Sequence, residues 1–158
     1  MSNPSERPVE GRAQVRRVIP ASPEALFDAW TDAEGMARWM RPGPEMQCRC
    51  RLDMRVGGRF EIDMIAPDGT TLPHTGTYRV VDRPRKLVFT WVSAPTGQRE
   101  SVVTIEFRAA KGGTEIILTH DGLPPAAAEP HEGGWQEIIR KLAEDSQASE
   151  ARSSRRPS

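Results

Sequence analysis

The chain has 158 residues, and its 22 Lys plus Arg balance 22 Asp plus Glu, so the formal net charge is zero. That length supports one domain with a real core, and the neutral balance argues against a binder of nucleic acid or of anionic membrane, which needs a basic surplus. No apolar run approaches the roughly 18–20 residues that span a bilayer, and MSNPSERPVEGR has no apolar signal-peptide core; a cytoplasmic protein without membrane insertion is expected.

Residues 1–12 read as a flexible N-terminal tail, 13–145 as a single domain and 146–158 as a disordered tail. The last segment, rich in Ser and Arg, has no apolar residue beyond alanine to offset the entropy of ordering. Val15 to Ile19 predicts a first strand, stopped by Pro20. Ser22-Pro23-Glu24 then reads as a helix start, with a Ser cap, Pro at the first helical position and an acid in the first turn. That helix runs to about Thr31, and a second short one spans Ala33 to Trp39, capped by Asp32 and ended by Pro42-Gly43-Pro44.

From Met46 to His120 the pattern alternates with period two, as in a sheet with one wet face. Met46, Cys48, Cys50 and Leu52 share a face, and Phe60, Ile62 and Met64 point inward after the turn at Val56-Gly57-Gly58. Pro67-Asp68-Gly69 turns the chain again. Tyr78 and Val80, then Leu87, Phe89 and Trp91, then Val103, Ile105 and Phe107, then Ile116, Leu118 and His120 continue the inward rows. Six hairpin-linked strands follow the helices, so the sheet is antiparallel, and the first strand makes seven. Cys48 and Cys50 lie on one strand face, where a disulfide would be strained. They read as reduced, small core residues, since a soft-metal site needs three or four ligands and there is no second pair.

HEGGWQEIIRKLAE, residues 131–144, closes the pattern with Trp135, Ile138, Ile139, Leu142 and Ala143 on one helical face. Gly133 and Gly134 cost this helix roughly 2 kcal/mol relative to alanine. Burying each large apolar residue contributes on the order of 1.5–3 kcal/mol, so packing wins and the helix must lie on the inward face of the sheet. With Pro130 in the first helical turn, both glycines fall in the N-terminal half of the helix, where a missing Cβ allows close approach or leaves space beside the Trp135 indole. The order of elements predicts an α+β fold, a curved antiparallel sheet of about seven strands around a long C-terminal helix, with two short helices after the first strand.

This order resembles the START-like (SRPBCC) superfamily with its helix-grip, Bet v-type fold. The chain is similar to the bacterial proteins related to the C-terminal domain of the activator of heat-shock protein 90 ATPase. The resembling pieces are Phe27-Asp28-Ala29-Trp30 with Trp39, Asp53 to Phe60, Gly76-Thr77-Tyr78, Pro84 to Trp91, Val102 to Ile105, Gly113-Thr114, and His131 with Gly134-Trp135. The resemblance implies a cavity between the long helix and the sheet, used by many relatives for apolar or amphipathic small molecules. Its candidate lining is Trp39, Phe60, Ile62, Met64, Tyr78, Phe89, Trp91, Ile105, His120, His131, Gly134, Trp135, Ile138 and Leu142. For any single apolar residue among these, filling a core is the commoner role.

No catalytic residue, metal site or cofactor is predicted. His120 ends an inward row and His131 lies one turn before Trp135, so together they would suit a ligand carboxylate or a proton transfer; hydrogen-bonded structure is the commoner role of such histidines. His74 follows Pro73 in a loop-like segment without an evident partner, and Ser93 and Ser101 lack a His-Asp relay. The leading expectation is binding of an apolar or amphipathic small molecule, lipid-like, polyketide-like or aromatic. The alternatives are co-chaperone-like protein interaction resembling the activator, and an enzyme of cyclase or aromatase type. The eukaryotic activators carry an additional N-terminal chaperone-binding domain, whereas here a short tail precedes the first strand. A homodimer through a sheet edge is compatible with the pattern.

Overall fold

The computed structural model describes residues 11–41, 43 and 45–154, and side chains as far as Gln147. Strand β1 (Gly11–Ile19) is followed by helices α1 (Pro23–Ala29) and α2 (Ala33–Trp39). Strands β2 (Gln47–Leu52), β3 (Arg59–Ile65), β4 (Thr71–Asp82), β5 (Lys86–Trp91), β6 (Ser101–Ala110) and β7 (Gly113–Leu123) come next, with a 3-10 turn at Ala94–Thr96 between β5 and β6. Helix α3 (Pro125–Ser154) closes the chain. The seven strands form one antiparallel sheet in the order β1-β7-β6-β5-β4-β3-β2. This is the helix-grip architecture expected from the pattern.

Local chemistry sets the element starts. Ser22 accepts the Ala25 N–H through its side chain and Pro23 follows it, as expected for the start of α1. Asp32 precedes α2 but its side chain makes no capping hydrogen bond. Of the residues that end α2 in the sequence reading, Pro42 and Pro44 lie outside the described residues. The sheet faces follow the alternation, with Phe60, Ile62, Met64, Leu87, Phe89, Trp91, Val103, Ile105, Phe107, Ile116 and Leu118 all buried. β4 departs from it: a bulge between Tyr78 and Val80 shifts the register, and Val81, not Val80, packs on the core.

α3 buries Trp135, Ile138, Ile139, Leu142 and Ala143, the stripe expected of it. Both its ends differ from the sequence reading. It begins at Pro125, followed by three alanines, which places Pro130 inside the helix instead of in its first turn. Pro at N1 and the best helix former after it nucleate the early start. Having no N–H, Pro130 leaves the Ala126 carbonyl without its helical donor. At the other end the helix runs on to Ser154, into the segment read as a disordered tail from residue 146. Extending an existing helix through good formers such as Gln147, Ala148, Glu150 and Ala151 needs no new nucleus. The N-terminal tail expectation falls on residues outside the described ones, except Gly11 and Arg12, which open β1.

Gly76 fixes how closely β4 meets its neighbours. A Cβ there would stand 1.9 Å from the Thr90 carbonyl oxygen and 2.4 Å from the Phe60 ring. Only a residue without a side chain allows that approach.

Candidate functional site

A cavity of about 490 Å³ opens at the N-terminal end of α3. β3 contributes Met64, β4 contributes Leu72 and His74, β5 contributes Trp91, and the 3-10 turn contributes Pro95. Pro124, Ala126, Ala127, Pro130, His131, Gly134, Trp135 and Ile138 complete the wall. The lining is apolar or aromatic apart from two imidazoles. Gly134 faces this space, whereas a Cβ on Gly133 would meet nothing within 4 Å.

Six residues expected at a ligand site are brought together here: Met64, Trp91, His131, Gly134, Trp135 and Ile138. Phe60, Ile62, Tyr78 and Phe89 instead surround a residual space of about 10 Å³ and fill the core. Trp39, Ile105 and Leu142 are buried in that core, and His120 is fully buried. The middle of the grip is therefore closed by side chains, and the open space lies at one end.

His120 is held by hydrogen bonds to two other elements, α3 and β6. The Trp135 indole N–H donates to His120 Nδ1 across 3.0 Å, and His120 Nε2 lies 2.7 Å from Ser101 Oγ. Ser101 Oγ donates in turn to the Trp91 carbonyl at 2.7 Å. Because Nδ1 accepts, a neutral ring carries its hydrogen on Nε2 and donates it to Ser101. The Trp135 indole N–H, the His120 Nε2–H and the Ser101 O–H then each have an acceptor, the last being the Trp91 carbonyl. Burial, with the nearby His131 as a lesser cause, pushes the His120 pKa down to about 3. A base that accepts the serine proton must present a lone pair to it; here the imidazole presents N–H. The Ser-His contact, which the spacing of the sequence concealed, thus locks Trp135 and Trp91 in place and leaves Ser101 without a base.

The other histidines face the cavity. His131 donates from Nδ1 to the Ala127 carbonyl at 2.8 Å, and its ring stands edge-on to His120 at 5.1 Å between centroids. His74, read from the sequence as a loop residue without a partner, lies within β4 and is buried. Its Nδ1 is 3.3 Å from the Ile62 carbonyl, its ring packs 4.9 Å from Trp91, and burial lowers its pKa. Pro73 obscured this strand, because proline marks edges. It is tolerated here because its half of β4 pairs with β3, while the pairing with β5 begins further along at Tyr78, apart from the bridge from Thr75 to Val92. The inward alternation of His74, Gly76 and Tyr78 was the available signal. Trp91, at the cavity wall, has a buried indole N–H without an acceptor among the described residues. Among those residues no group of three or more His, Cys, Asp or Glu could hold a metal ion, and no helix is long and apolar enough to cross a membrane.

The family model described as "Activator of Hsp90 ATPase homolog 1-like protein" matches residues 20–145. An AHSA1-like protein from Aeromonas hydrophila superposes with a TM-score of 0.75 at 28% identity, covering 87% of this chain and 93% of that one. An HSP90 activator from Plasmodium falciparum gives 0.66 at 25% identity, covering 84% and 93%. A protein from Nitrosomonas europaea gives 0.74 at 23% identity over 87% and 95%; it shares the fold. A search of curated protein sequences returns no match.

Proposed function

The chain belongs to the family of activator of Hsp90 ATPase homolog 1-like proteins, and from that premise we propose that it binds an apolar or amphipathic small molecule in the cavity at the head of α3. The observation that carries this reading is the cavity itself, about 490 Å³ with Trp91, Trp135, Met64, Leu72 and Ile138 in its wall. Ligand pockets commonly measure roughly 300–1,000 Å³, with an apolar lining and a few polar groups that orient the ligand. His131 and His74 are those groups here. An amphipathic ligand would set its apolar body against the indoles and its polar end toward the imidazoles.

Titration with a fluorescent apolar probe tests this. The wild-type protein should bind one equivalent saturably. Gly134→Leu places a side chain in the cavity and should weaken binding at least tenfold, while Gly133→Leu, which points into open space, should leave it unchanged. Equal binding by all three, each folded by circular dichroism, would put the ligand elsewhere.

A second reading draws on the family description and on the activator from Plasmodium falciparum: interaction with a chaperone of the Hsp90 class. An ATPase assay with the chaperone from the same host decides it. Stimulation that saturates with added protein supports the reading, and none at saturating protein rejects it.

A further inference from the structure

Cys48 and Cys50 line a groove separate from the cavity, with no lining residue in common, although Cys48 pairs in register with Met64 of the cavity wall. Both cysteines sit on β2, the edge strand of the sheet, with side chains on the same face. Their sulfurs approach to 3.5 Å, both as thiols. A groove of about 410 Å³ reaches them between α2 and the β2–β3 pair. Its α2 wall carries Ala33 and Ala37, one turn apart, whose small side chains stand opposite the two cysteines in the groove lining. Cys50 is half-buried and Cys48 more deeply buried. The hydrogen bond from the Cys50 S–H lowers the pKa of the Cys48 thiol, making it the readier thiolate.

We propose that Cys48 and Cys50 form a binding site for trivalent arsenicals, with one arsenic atom bridging the two sulfurs. Three bridging chemistries compete. A disulfide needs its sulfurs about 2.05 Å apart and its α-carbons within roughly 6.8 Å, at the limit for alternate positions of an extended strand. Structural zinc takes four ligands, and the described residues offer no cluster of three. A monosubstituted arsenical needs only two thiols, since its third bond is already made. With bonds of roughly 2.3 Å, the length of a zinc thiolate bond, sulfurs 3.5 Å apart subtend about 100° at the bridging atom. A three-coordinate pyramidal centre that keeps a lone pair holds its bonds near that angle. The step is a condensation without electron transfer. Two S–H bonds and two As–O bonds of an R–As(OH)2 species break, two As–S bonds form, and two water molecules leave.

Phenylarsine oxide is the probe. The full chain, reduced with a phosphine and kept folded, is mixed with one equivalent and followed by native mass spectrometry and thiol titration. The expected result is a one-to-one adduct with both thiols lost to titration, reversed by 2,3-dimercaptopropanol. Cys50→Ser, at the more exposed position, should raise the half-saturating concentration about 100-fold or more, because the second bond loses its high effective concentration. Cys48→Ser should do the same, with circular dichroism confirming its fold. The proposal is overturned if the wild type binds no tighter than Cys50→Ser. It is equally overturned if the thiols react only after unfolding in urea, or if zinc in equal amount displaces the arsenical.

Discussion

The indole N–H of Trp135 donates to Nδ1 of His120 across 3.0 Å, joining the head of α3 to β7 beneath the cavity. That bond fixes the His120 tautomer, and the tautomer fixes the direction of the remaining hydrogen bonds through Ser101 to Trp91. The same contact that positions the Trp135 indole in the cavity wall therefore leaves the serine without a base.

Replacing His120 should be costly in stability. His120→Leu leaves the Trp135 indole N–H without an acceptor in a buried site, and unfolding in urea should show a loss of about 2–4 kcal/mol. Ser101→Ala orphans the His120 Nε2–H and should cost about 1–3 kcal/mol. A loss under 0.5 kcal/mol in both variants would mean the chain does not hold these elements together.

Acid should destabilise the protein before its carboxylates titrate. His120 is neutral in the native state down to about pH 3, whereas in the unfolded chain it takes up a proton near 6.5. Below 6.5 the unfolded state thus binds more protons, so stability is full above that pH and falls as the pH drops toward 3. Between pH 7.5 and 5.0 His120 should account for about 2 kcal/mol. His74, whose pKa burial also lowers, acts in the same direction. Urea midpoints at the two pH values check this, and His120→Leu should flatten the dependence.

Gly76 should tolerate no side chain. The Cβ of Gly76→Ala would collide with the Thr90 carbonyl, a backbone atom within a paired strand. Thermal or urea unfolding should show a loss of about 3 kcal/mol or more. Gly133→Ala, in open space on a helix, should instead gain about 0.5–1 kcal/mol. If the two substitutions behave alike, β4 does not approach its neighbours as described.

The fold was largely legible because the core is written in short-range periodicity. Trp135, Ile138, Ile139 and Leu142 face one way on any helix, and Phe60, Ile62 and Met64 face one way on any strand, whatever surrounds them. The candidate cavity was less legible. Met64, Trp91, Trp135 and Ile138 belong to those inward rows, and His131 and Gly134 came with the family resemblance. His74, however, sits in an alternation masked by Pro73, and Leu72, Pro95 and the segment from Pro124 to Pro130 stand where alternation fails or a helix starts early. Pro73 hid His74, and Pro130 hid the first turns of α3.

Sequence alone determined the element order, the seven-stranded antiparallel sheet and the gripping face of α3, since each follows from local propensity and from which residues must leave water. Tertiary structure alone decided which inward residues fill space and which line it. Phe60, Tyr78 and Phe89 pack against one another and leave almost no volume, while the helix head that carries Gly134 stands off from His74 and Leu72. Periodicity assigns a face to a side chain, but whether that face meets another surface depends on the separation of two elements distant in the chain. The direction of the His120 hydrogen bonds was decided in the same way, by a serine and a tryptophan from two other elements meeting one imidazole.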